Sequence, residues 1–119
     1  LAQRAEAALA AGISAERLIL DPGLGFAKTA VHNWELLANL GDLADLGFDL
    51  LVGASRKSFL GALLADASGT PRPVDQRESA TVALTTLLAQ QEIWGIRVHD
   101  VQASRDALAV VECVERHRA

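Results

Sequence analysis

Arg56, Lys57 and Ser58 stand directly after an apolar run, Leu50-Leu51-Val52, and a small-residue break, Gly53-Ala54-Ser55. A helix can start at that point. Two cations and a hydroxyl beside free backbone N–H groups form a place for an anionic or electron-rich ligand. Two other segments end the same way: Arg17-Leu18-Ile19-Leu20 runs into Asp21-Pro22-Gly23-Leu24-Gly25-Phe26, and Gly95-Ile96-Arg97-Val98 runs into His99-Asp100. Three short strands that each deliver polar residues at their C-terminal ends describe an enzyme site.

Side chains alternate along a strand, so Arg97 and His99 share one face and Ile96 and Val98 the other. An arginine near the end of a buried strand needs a partner. That partner is either a nearby carboxylate or a bound anion or planar ring, both of which suit a guanidinium. His99 adds a donor that favours a phosphate-bearing ligand. Asp21 has the parity of Ile19 and precedes Pro22. It either caps the Asp-Pro-Gly turn or accepts paired N–H groups from a heterocycle. Gly23 and Gly25 leave room for a ligand to approach backbone, and Phe26 offers a hydrophobic wall, although by itself such a phenylalanine reads as core. The Ser55–Ser58 cluster lacks the G-x-x-x-x-G-K-[ST] spacing of a nucleotide-binding loop. Two cations at a helix start oppose its dipole, so a ligand or partner is expected to compensate them. His32 and His117 read as loop and surface residues.

These groups need a scaffold. Helix-forming residues run to about Ala11 and stop at Gly12. Strand one is expected over 17–20, followed by a long loop over 21–33. Trp34, Leu37, Leu40 and Leu43 predict one helix over 34–46, closed by Gly47. Strand two is expected over 49–54, a helix over 57–64 and a loop over 66–75. A long apolar helix follows over 76–90, then strand three over 94–99. The last helix is expected over 104–116, with Ser104 as N-cap and Ala107, Val110, Val111 and Val114 turned inward. Alternating strands and helices imply right-handed βαβ units and a parallel sheet, either doubly wound or part of a (β/α)8 barrel. Three strands are too few to bury both sheet faces, so pairing with further strands N-terminal to them is expected.

Composition excludes several alternatives. The 119 residues fit a single domain, and 50% are hydrophobic, so the chain is neither disordered nor low-complexity. A net charge of −4 without a basic, aromatic-laced stripe argues against nucleic acid. No apolar run reaches the ~18 residues of a membrane span. The lone Cys113 has no disulfide partner in the chain and is expected to pack as a small apolar residue in the last helix, consistent with a reducing compartment. The first residues are already helical in pattern and lack a starting Met, which reads as a piece of a larger protein.

Taken in order, Leu20-Asp21-Pro22-Gly23-Leu24-Gly25-Phe26-Ala27-Lys28-Thr29, the segment from Leu51 to Gly61, and Arg97-Val98-His99-Asp100-Val101 resemble dihydropteroate synthase over essentially the whole chain. The resemblance implies that residues 1–119 are the C-terminal three β/α units of a TIM (β/α)8 barrel. It implies condensation of p-aminobenzoate with 6-hydroxymethyl-7,8-dihydropterin pyrophosphate, giving dihydropteroate and pyrophosphate for folate synthesis. Asp21, Lys57 and Arg97 would bind the pterin; Gly25, Phe26, Lys57 and Ser58 would form the p-aminobenzoate pocket; Arg97 and His99 would hold the pyrophosphate. Mg²⁺ would assist, with its ligands outside this segment, and sulfonamides would compete as mimics of p-aminobenzoate. A cytoplasmic homodimer is implied, paired through outer helices such as 76–90 and 104–116. The family's further pterin contacts, metal-linked asparagine and two mobile loops come from sequence not present here, so the segment alone is expected to be inactive. Two alternatives stay open: a non-catalytic pterin-binding paralogue and a methyltetrahydrofolate-binding methyltransferase domain. The basic pair Arg56-Lys57 speaks against the latter.

Overall fold

The computed structural model describes all 119 residues. Three parallel strands form one sheet in sequence order, with a helical layer carried by the connections. The elements are α1 (Ala2–Ala10), β1 (Ile19–Leu20), α2 (Ala30–Ala38), α3 (Leu40–Ala44), β2 (Asp49–Val52), α4 (Ser58–Leu63), α5 (Glu78–Ala89), β3 (Gly95–Ile96) and α6 (Val101–Arg116). Short 3₁₀ turns precede β1 (Ala15–Arg17) and α5 (Val74–Gln76).

The central strand β2 explains the register. Leu50 and Val52 are fully buried while Asp49 is exposed, the alternation of a strand with one face in the core. Ile19 lies opposite Asp49 and Leu20 opposite Leu50; on the other side Leu51 meets Gly95 and Val52 meets Ile96. The ladder continues past β3, where the Arg97 N–H donates to the Val52 carbonyl at 2.9 Å. That bond brings the end of the third strand level with Gly53. The main core gathers Leu24, Leu40, Val52, Ala54, Phe59, Leu60, Leu84 and Leu88, so residues of the first loop, β2, α4 and α5 are tied together directly beneath the strand tips. Trp34 packs edge-on against Phe59, with ring centroids 5.0 Å apart. A smaller cluster of Ala5, Leu20 and Leu50 docks α1.

Several expectations are corrected. Strands one and three are shorter than their apolar runs: only Ile19–Leu20 and Gly95–Ile96 pair, because each has β2 as its sole neighbour on one side. The expected 34–46 helix begins earlier, at Ala30, where the Thr29 hydroxyl accepts the His32 N–H at 3.2 Å, so the first loop is shorter than expected. It also breaks at Asn39, whose side-chain amide donates to the Glu35 carbonyl at 2.8 Å and competes with the helical ladder. The last helix starts at Val101 with Asp100 as its cap: Asp100 Oδ1 accepts the Ala103 N–H at 3.0 Å. A carboxylate suits a helix N-terminus better than a hydroxyl does. Ser104 is instead buried inside the first turn, 3.5 Å from the Thr85 hydroxyl on α5. Ala107 and Val111 turn inward, but Val110 and Val114 are exposed, and so is Cys113. The apolar stripe of α6 is thus narrower than the count of valines suggested.

Candidate active site

The three strand tips converge. Phe26 from the first loop, Gly53, Ser55 and Lys57 after β2, and Arg97, Val98 and His99 after β3 line one cleft of about 440 Å³. A cleft of similar size, about 480 Å³, lies against the free edge of β3 between α5 and α6. Its lining includes Ile93, Trp94, Ile96, Val101 and Leu108, and it marks an open sheet edge rather than a convergence of polar groups. The strand-tip cleft is the functional candidate.

Local chemistry places each side chain. Asp21 serves both readings offered by its sequence context. Its Oδ1 accepts the Gly23 N–H at 2.8 Å, closing the Asp-Pro-Gly turn, while Oδ2 faces Arg97 Nη2 at 3.9 Å. That separation is an ion-pair contact beyond hydrogen-bond reach. Arg97 is itself more than half exposed, so it carries little of the desolvation cost expected of a buried strand arginine. The Gly23–Ala27 turn relies on left-handed backbone at Gly23, Gly25 and Ala27. Buried Asn33 fixes it from below by accepting the Gly25 N–H at 2.9 Å. This turn throws Phe26 outward, 62% exposed, which overturns its reading as a core residue. Lys57 lies over its ring, Nζ 4.3 Å from the centroid, and the Lys57 stem runs along Gly25.

After β2 the chain turns at Arg56, a non-glycine residue with φ of 58°. Three contacts hold this turn. The Arg56 N–H donates to the Thr81 hydroxyl at 3.2 Å, Arg56 Nε pairs with Glu78 at 3.0 Å, and Arg77 Nη1 donates to the Arg56 carbonyl at 2.9 Å. The compensation expected for this basic pair is therefore split. Arg56 finds its carboxylate inside the chain, on α5, and Lys57 alone is delivered to the cleft. Ser58 starts α4, exposed, and does not line the cleft. His99 does, with its Nδ1 2.7 Å from the Ser55 hydroxyl. His32 and His117 are exposed and remote in role, as their settings in the sequence suggested.

Residue-by-residue reading missed Gly53 and Ser55. Gly53 faces the Arg97 guanidinium closely enough that a Cβ there would sit 2.8 Å from Nη2. Register alone could have revealed that approach, since it depends on β3 lying beside β2.

In chemical terms the cleft offers an ammonium, a guanidinium and an imidazole around an aromatic wall, with one carboxylate across from the guanidinium. It is a donor-rich site for an anionic group attached to a flat ring.

Helices linking parallel strands, with polar groups gathered at the strand C-termini, are three consecutive β/α units of the (β/α)8-barrel fold. Residues 1–99 match the model of the pterin binding enzyme family. Dihydropteroate synthase of Mycobacterium leprae is 57% identical over 104 residues, covering 87% of this chain and 37% of that protein. The structure of the Xanthomonas albilineans dihydropteroate synthase in complex with 7,8-dihydropteroate superposes with a TM-score of 0.88 at 41% identity, over 98% of this chain and 42% of that one. The Yersinia pestis dihydropteroate synthase in a sulfonamide drug complex superposes at 0.85 with 40% identity, over 98% and 40%. This chain belongs to the pterin-binding enzyme family, and it spans about two-fifths of the length of these relatives.

Proposed function

We propose that this chain supplies the C-terminal part of a dihydropteroate synthase site, condensing p-aminobenzoate with 6-hydroxymethyl-7,8-dihydropterin pyrophosphate. The observation that carries the reading is the rim of Lys57, Arg97 and His99 beside Phe26, with the carboxylate of Asp21 facing Arg97. In the reaction the methylene C–O bond to pyrophosphate breaks and its electron pair leaves with the pyrophosphate oxygen. The arylamine nitrogen forms the new C–N bond and releases a proton. Such a step needs orientation and stabilisation of charge on the leaving group.

In this reading Asp21 Oδ2 accepts N–H groups from the pterin edge. Arg97 stacks on the ring and, with His99, holds the pyrophosphate. Lys57 reaches both the pterin and the p-aminobenzoate side, where Gly25 and Phe26 form the wall, and Ser58, beside Lys57 at the start of α4 and outside the cleft lining, would take the benzoate carboxylate once the barrel is complete. Mg²⁺ would assist the departing pyrophosphate in the completed barrel, with its ligands outside this segment. No helix is long and apolar enough to cross a membrane. A cytoplasmic homodimer is part of the same reading, supported by the lone cysteine and the exposed outer helices.

The test is a chimaera in which this chain replaces the matching segment of the Mycobacterium leprae relative. Pyrophosphate release that requires both substrates and is blocked by a sulfonamide is the expected result. Tight pterin binding without release would overturn the synthase reading in favour of a non-catalytic pterin-binding protein. The 119-residue chain alone is expected to show no turnover.

A further inference from the structure

The Ser55 hydroxyl, buried at the tip of β2, has two contacts and both belong to His99, 44 residues away. Its oxygen accepts the His99 backbone N–H at 3.2 Å and lies 2.7 Å from the ring Nδ1. A serine hydroxyl owns one proton and can accept through its lone pairs. With the oxygen already accepting the backbone N–H, the only acceptor within reach of the hydroxyl proton is Nδ1. If Nδ1 carried a proton, the hydroxyl would receive two donors and its own proton would have no protein partner. We infer that Ser55 is a positioning residue that fixes neutral His99 in the tautomer with its proton on Nε2.

The consequence, which rests on the synthase reading, concerns the sign of the cleft. Nε2 has no protein partner, and His99 lines the cleft with Lys57 and Arg97. In the fixed tautomer the ring presents an N–H there, so all three groups are donors toward an anionic oxygen. In the other tautomer Nε2 would present a lone pair to the leaving pyrophosphate. The same hydroxyl also binds the His99 backbone, so ring orientation and tautomer are set together across the two strand tips.

His117 provides an internal contrast. Its Nδ1 lies 2.8 Å from the Cys113 carbonyl, an acceptor only, which demands the opposite tautomer. The experiment is long-range ¹H–¹⁵N NMR of histidine-labelled protein, in the 119-residue chain and in the chimaera, at a pH where the imidazoles are neutral. His99→Gln and His117→Gln assign the signals. His99 is expected to show the Nε2–H pattern and His117 the Nδ1–H pattern. Ser55→Ala should convert His99 to a mixture, and Ser55→Thr should restore the single form. In the chimaera, Ser55→Ala should raise KM for the pterin pyrophosphate roughly tenfold or more, leave KM for p-aminobenzoate unchanged, and be rescued by Ser55→Thr. An Nδ1–H pattern for wild-type His99, or an Nε2–H pattern unmoved by Ser55→Ala, would overturn the inference even if one variant folded poorly. The expected tautomers in a chimaera that never turns over would leave the Ser55 assignment standing and refute the synthase reading instead.

Discussion

Replacing Gly53 by alanine separates the site from the fold. Gly53 is buried directly after β2, and its φ lies outside the left-handed region, so alanine is allowed by the backbone. Alanine in an extended segment even gains about 0.5–1 kcal/mol over glycine from the unfolded chain. The cost falls on Arg97. The new Cβ would sit 2.8 Å from Nη2, 3.0 Å from Nε and 3.2 Å from Cζ. Ordinary contact begins near 3.4 Å, so the guanidinium plane must retreat by roughly 0.6 Å or more. Arg97 is more than half exposed and can do so cheaply, and its loose contact with Asp21 is worth at most about 1 kcal/mol. Misplacement of a reacting partner by about 1 Å costs on the order of 10²-fold in rate. The expected outcome in the chimaera is a 10- to 100-fold fall in kcat/KM for the pterin substrate, with Tm changed by no more than roughly 4 °C. The effect should vanish in an Arg97→Ala background, because the two changes act on one group. An unchanged kcat/KM with an unchanged Tm would refute the placement of Arg97 over the strand tip.

Other outcomes follow from the same geometry. Phe26→Ala should raise KM for p-aminobenzoate several-fold with little change in thermal stability, since the ring is exposed; a large loss of Tm would return Phe26 to the core. Gly61→Ala should destabilise by about 1–2 kcal/mol in urea unfolding although it lies in a helix, because its Cβ would evict the Arg77 guanidinium that donates to the Arg56 and Arg72 carbonyls; a stabilised variant would contradict that clamp. Phe59→Ala should cost about 3–5 kcal/mol, as the buried ring is packed against Trp34 and the core under the site. The Ser68 hydroxyl, and then the Thr70 backbone N–H, hold the Asp66 carboxyl below its usual 3.8. The order it gives the 66–70 turn is therefore complete above that value and lost as pH falls through the lower folded one. A carboxyl-carbon NMR titration with a midpoint at or above 3.8 would contradict this.

Much of the scaffold was legible because its signals are local. Gly12 and Gly47 do lie just past helix ends, and the apolar run at Leu50–Val52 does form the central strand. Lengths were harder. An apolar run cannot show where pairing stops, which depends on a neighbour, so strands one and three read too long. Caps competed within a few residues, and the Asp100 carboxylate prevailed over the Ser104 hydroxyl. Of the residues singled out, Phe26, Lys57, Arg97 and His99 line one cleft with Asp21 against Arg97, whereas Ser58 lies outside that lining. The pairing of Arg56 with Glu78 and of Ser55 with His99 was not legible, because each joins positions more than 20 residues apart through packing that no local pattern encodes.

The central claim is that three strand tips of this chain grip one pterin pyrophosphate. A crystal structure of the chimaera with 6-hydroxymethyl-7,8-dihydropterin pyrophosphate tests it most directly. The account predicts the pterin edge on Asp21 Oδ2, the ring against Arg97 and Lys57, and pyrophosphate oxygens on Arg97 and His99 Nε2. A ligand bound elsewhere, or a pyrophosphate held away from both Arg97 and His99, would contradict it.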